Sequence, residues 1–145
     1  MSAENLNGVN YDIAVNHSPA EDSLINAGQW GGKVRVQVDS CNVSDIEVGS
    51  TVKIARIPAG ATLLWGKIFH EALGTNVTFA VGDGTTADKY LAAASAAAAG
   101  LLSFPVLYGT ANLRVTVDTN IVITTAGATV ASTKSIKTQV AYLLE

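Results

Sequence analysis

The chain has 145 residues, 48% of them hydrophobic, which fits one domain and excludes a disordered chain. Nine basic and twelve acidic residues leave a net charge of −3, and the basic ones never cluster. Nucleic-acid binding leaves a basic footprint, and an anionic membrane surface attracts clustered Lys and Arg, so neither partner is expected.

Residues 1–32 show no sustained periodicity. Asn and Gly are scattered through them, with one short element expected around Tyr11–Val15 and a joint at Gly28-Gln29-Trp30-Gly31-Gly32. They are read as an extended N-terminal arm, of the kind that frays unless tied down. The body is read as residues 33–145. Lys33–Asp39 alternates Val with polar residues, as a half-buried strand does. Ser50–Ile57 follows, with Val52 and Ile54 in one phase and Ile57 in the other, which predicts a β-bulge near Ala55. Ile57-Pro58-Ala59-Gly60 fits a type I turn.

Ala61–Leu73 carries apolar residues in both phases. Leu63, Trp65, Phe69 and Leu73 share one, and Leu64 and Ile68 the other. Such a strand lies mid-sandwich or against a partner, because an antiparallel strand normally keeps one wet face. Asn76–Val81 alternates again, and Gly82-Asp83-Gly84 is a turn. Thr85-Thr86-Ala87-Asp88 has the residues of a helix cap. Lys89–Ala99 has helical propensity, so one or two helical turns are expected there. Leu101–Tyr108 is a strand that Pro105 places at an edge. Leu113–Val117 and Ile121–Thr125 read as a hairpin about Asp118-Thr119-Asn120. A last strand runs from about Lys134 to Leu144. The fold class is therefore all-β: an antiparallel β-sandwich or jelly roll of about eight strands, with the arm and one short helical turn.

Little in this chain points to catalysis. His17 and His70 are the only histidines. His70 and its neighbour Glu71 point to opposite faces of a strand, so they form no dyad. No Gly-x-Ser-x-Gly elbow, His-Glu-x-x-His pair or phosphate loop occurs. Cys41 is the single cysteine; it cannot form an intrachain disulfide and reads as a small apolar residue. Asp83 and Asp88 could offer oxygens to a cation, but the remaining ligands of a Ca²⁺ loop are missing, so a simple turn is the preferred reading. No catalytic residue, metal or cofactor is expected. Met1–Asn5 lacks the basic and apolar regions of a secretion leader, and the Ala-rich run at Leu91–Leu102 is too interrupted to span a bilayer. The expected setting is a cytoplasm, or a larger object assembled in one.

Charged residues make up 14% of the chain, against a usual ~25%. Either the surface is unusually rich in Ser, Thr and Asn, or much of it faces other subunits, whose contacts are depleted in charge. The second reading is preferred. Tyr11, Ile13, Trp30, Leu63, Trp65, Phe69 and His70 are the candidate contact residues.

Three segments carry a resemblance: Ile57-Pro58-Ala59-Gly60-Ala61, Val81 through Leu91 with its Gly-Asp-Gly-Thr-Thr-Ala-Asp run, and Ile121 through Ala128. Over roughly residues 50–145 the chain resembles the capsid decoration, or cement, proteins of tailed bacteriophages. That resemblance implies a jelly-roll body forming homotrimers on the outer capsid surface of a virion assembled in the host cytoplasm. It implies the major capsid protein as partner, with arms clamping neighbouring capsid subunits. It brings no catalytic motif. Such a protein would brace a shell against packed DNA, and three linked contacts can raise avidity by ~10²–10⁴. Two rivals share the architecture. A carbohydrate- or receptor-binding sandwich would use Trp30 or Trp65 as a platform. A cupin-like metal enzyme would need more inward ligands than two histidines supply.

Overall fold

A computed structural model describes residues 33–105 and 113–144. They form eight strands: β1 Lys33–Val43, β2 Thr51–Ile57, β3 Thr62–His70, β4 Thr78–Gly82, β5 Leu91–Ser95, β6 Gly100–Phe104, β7 Thr119–Ala126 and β8 Lys134–Leu144. The first 32 residues, and with them the expected arm, lie outside the described residues.

The strands make two antiparallel four-stranded sheets, ordered β1-β8-β3-β6 and β2-β7-β4-β5. First pairs with eighth, second with seventh, third with sixth and fourth with fifth. This is the connectivity of one long hairpin rolled up on itself. The jelly roll expected from strand number and spacing is the observed fold.

The core lies between the sheets. Phe79, Tyr90, Phe104, Ile57, Leu63, Ile68, Ile121, Ile123 and Ile136 are fully buried there. In β8 the expected apolar phase points inward, with Ile136, Thr138 and Val140 all buried. Gly66 of β3 sits beneath Phe104, its register partner on β6. A β-carbon at Gly66 would lie 2.0 Å from the Phe104 ring, so only glycine lets the ring pack onto the strand.

The bulge expected near Ala55 is present, as a register shift between Lys53 and Ala55 where β2 meets β7. It turns both Ile54 and Ile57 into the core. Pro105 follows β6, which is an edge strand as expected.

Three expectations are corrected. The turn after β2 is displaced by one residue. Ala61 N–H donates to Pro58 O at 3.1 Å, and Gly60, third in that turn, has φ +85°. Positive φ at the third position belongs to a type II turn, not type I.

The Ala-rich segment forms β5 and no helix. An isolated helix of that length is marginal in water. β4 instead offers an open edge, and Tyr90 N–H to Val81 O (2.8 Å) and Ala96 N–H to Val77 O (2.9 Å) fasten the segment at both ends. Buried Tyr90, Leu91 and Ala96 anchor it.

Leu113–Val117 does not pair with Ile121–Thr125, because β7 is already flanked by β2 and β4. It lies instead against the turn before β3. Leu63 N–H donates to Leu113 O (2.9 Å) and Val115 N–H to Ala61 O (2.9 Å).

Candidate interaction face

In an antiparallel ladder, directly opposed residues share a face. β8 sets the reference for its sheet. Ile136, Thr138 and Val140 face the core, so Lys137, Gln139, Ala141 and Leu143 face outward. Opposite these outward residues stand Val34, Val36 and Val38 of β1, and Trp65, Lys67 and Phe69 of β3. Leu101 of β6 is opposite Phe69. The alternating valines of β1 therefore point away from the core. They are 55%, 49% and 72% exposed, Trp65 and Phe69 are 38% and 39%, and Leu101 is 49%.

Periodicity alone could not have settled this, since alternation defines two faces without saying which is inside. The inward phase of β1 carries Arg35, Gln37, Asp39 and Cys41 instead. Gln37 explains how a polar phase can face the second sheet. Its Nε2 donates to Arg56 O at 2.7 Å, and its Oε1 accepts from Arg56 N–H at 3.0 Å. One side chain thus acts as a strand would, closing the sandwich margin between β1 and β2. Burial pushes the Cys41 thiol pKa up, and the Asp39 carboxylate adds to the rise. This sulfur is held as a thiol, not as a reactive thiolate.

A second device concerns β3. Its register on β8 shifts between Leu63 and Trp65. The two would otherwise share a phase. The bulge leaves Leu63 in the core and turns Trp65, Lys67 and Phe69 outward. Lys67 Nζ lies 5.4 Å from the Trp65 ring centroid, a cation–π contact at the surface. Lys67 and Lys137 are the ionisable side chains on the strand positions of this face, and Glu71, just past β3 and opposite Ser135, and Asp39 of β1 border Lys137.

The sequence-derived contact residues therefore divide into three sets. Trp65 and Phe69 lie on the exposed apolar face. Leu63 and His70 are buried in the chain's own core, so neither offers a surface. Tyr11, Ile13 and Trp30 lie outside the described residues. His70 Nδ1 is 2.9 Å from Glu71 O, and its ring meets Phe79 edge-on. The Glu71 side chain turns away to accept from Ser135 N–H at 2.6 Å. Val34, Val36, Val38, Leu101 and Lys67 are the face residues that sequence reading missed.

The Gly-Asp-Gly loop is organised by one carboxylate. Asp83 Oδ1 accepts from Thr85 N–H (2.9 Å) and Thr86 N–H (2.8 Å), and Oδ2 meets Lys89 Nζ at 2.7 Å. Partial burial pushes its pKa up. The Lys89 ammonium and the two backbone donors outweigh that and hold it at about 2. Asp83 thus spends its oxygens within the loop, and Asp88 is exposed. Among the described residues, no three His, Cys, Asp or Glu side chains converge as a metal site would require.

No family model matches the sequence, and no curated protein does. Solved structures do. A chain in the capsid asymmetric unit of cyanophage Pam1 superposes with a TM-score of 0.66 at 25% identity, covering 89% of this chain and 99% of that one. The chain is related to bacteriophage capsid proteins. The same fold recurs in the capsid of Ralstonia phage GP4, with TM-score 0.62, 15% identity and 77% and 85% of the two chains covered. It recurs again in the acid-stable capsid of Helicobacter pylori bacteriophage KHP30, with TM-score 0.53, 15% identity and 77% and 92% covered. Coverage of 89% of 145 residues against 99% of the partner makes the cyanophage chain about 130 residues long. The capsid chain matched there is thus a small one, close in size to this capsid-related chain.

Proposed function

We propose that this chain is a structural virion protein that decorates and stabilises a bacteriophage capsid, bridging major capsid protein subunits as a homotrimer. The observation that carries this reading is the apolar outer face of the β1-β8-β3-β6 sheet, on a fold shared with small chains of phage capsids. Monomeric soluble proteins rarely leave contiguous apolar surface open to water, and such faces mark interaction sites. The low charge of the chain supports the same reading, since contact surfaces are depleted in Asp and Glu. The role asks for binding and no chemistry. Residues 1–32 are assigned to an arm that extends the contact beyond the 33–145 body.

A sugar-binding role is less well supported. Its platform residue would be Trp65, and Lys67 already sits over that ring.

The test is reconstitution. Capsids assembled without this protein should form but release DNA at lower temperature, and adding the purified protein should restore the wild-type release temperature. Failure of the protein to bind such capsids, or binding with no gain in stability, would overturn the reading.

A further inference from the structure

The apolar sheet face and the N-terminal residues complement one another in two respects. The first is charge. Residues 1–32 hold four acids, Glu4, Asp12, Glu21 and Asp22, and no Lys or Arg. All nine basic residues lie in 33–145; Lys67 and Lys137 stand on the face, Lys137 with the Glu71 and Asp39 carboxylates at its borders. The second is pattern. Tyr11, Ile13 and Val15 alternate with Asp12 and Ala14, so an extended segment here presents one apolar edge of the kind a flat apolar sheet accepts.

We infer that the segment Tyr11–Val15 of one copy docks on the outer face of the β1-β8-β3-β6 sheet of a neighbouring copy. This rests on the trimer reading above and names the contact that closes it. Topology favours the neighbour as acceptor. The arm joins the body at Lys33, the first residue of β1, and β1 is the margin of its sheet. To cover its own face the arm must fold back over that marginal strand, whereas one that continues outward meets the next subunit. Residues 16–32 can make the crossing. Fully extended they reach about 55–60 Å, and as a flexible coil about 20–25 Å. The body has a radius of gyration of about 13 Å, so an adjacent face lies within range. Each arm would then cover the valines, Trp65 and Phe69 of the next subunit. Asp12 and the Glu21-Asp22 pair would bring negative charge toward Lys67 and Lys137. Three such exchanges close a ring without any subunit exposing its apolar face.

The experiment uses the full chain with Trp30→Phe, which leaves Trp65 as the single tryptophan and a reporter on the face. Acrylamide quenching of Trp65 and sedimentation are measured together, with and without Ile13→Asp. Circular dichroism checks that the sandwich stays folded. The expected result is a trimer with shielded Trp65, in which Ile13→Asp both raises quenching several-fold and dissociates the trimer. A second pair of variants tests the charge. Lys137→Glu should weaken the trimer, and adding Asp12→Lys should recover part of the loss. A trimer whose Trp65 quenches freely, or in which Ile13→Asp changes neither readout, would overturn the arm contact while leaving the trimer reading intact. A monomer with open Trp65 would overturn both. A monomer in which Ile13→Asp uncovers Trp65 would show the arm folded on its own sheet and overturn the exchange.

Discussion

Asp83 holds the β4–β5 loop through two backbone donors and the Lys89 ammonium. Its folded pKa of about 2 lies below its ordinary value of 3.8. The stabilisation it supplies is therefore fully present above about pH 4 and is lost as pH falls through about 2. After allowance for solvent screening this amounts to on the order of 1 kcal/mol. Asp83→Asn should lower the melting temperature at neutral pH, and the gap from wild type should close as melting is repeated from pH 4 down to pH 2. Gly66 offers a second residue-level test. Because a β-carbon there would strike the Phe104 ring, Gly66→Ala should cost about 1–3 kcal/mol in denaturant unfolding. The opposite sign is expected at Thr138. Its buried hydroxyl has no hydrogen-bond partner among the described residues. Thr138→Val should thus be neutral or stabilising by up to about 1 kcal/mol in the same measurement, since it removes an unmatched polar group.

At the scale of the elements, β1 shows what sequence can and cannot specify. Its alternation announces a strand, and the strand is there. Which face turns inward depends on what the opposite sheet offers, and that information is not local. Here the second sheet offers the backbone of Arg56, and Gln37 takes it. The same limit explains β3, where a bulge separates Leu63 from Trp65 and sends two candidates of one apparent phase to opposite sides. It also explains the Ala-rich run, whose helical propensity yields to an unpaired edge of β4. The bulge in β2, the edge position of β6 and the inward phase of β8 were legible because each follows from residues within the strand itself. Two variants follow at this scale. Gln37→Ala should cost about 1 kcal/mol, because two side-chain hydrogen bonds closing the sandwich margin are lost. Replacing Val34, Val36 and Val38 together by Thr keeps β-branched side chains on the strand. Each such surface change should leave unfolding of the separated chain within about 0.5 kcal/mol. Association should fall sharply in the same protein, as sedimentation would record.

For the whole molecule, the inverted β1 and the bulged β3 have one joint effect. They build an apolar outer face on a sheet whose inner face already supplies the core. A monomer gains nothing from that arrangement, because burial of apolar surface is the main favourable term and this surface is left in water. An assembly recovers it. The jelly-roll body, the likeness to small chains of phage capsids and the low charge all fit a subunit whose surface is finished by its neighbours. The native mass of the full wild-type chain in solution, measured by sedimentation equilibrium, bears on this most directly. A trimer of about 45 kDa, three times the 14.9 kDa chain, is expected. A folded species of 14.9 kDa that persists at every concentration would contradict it.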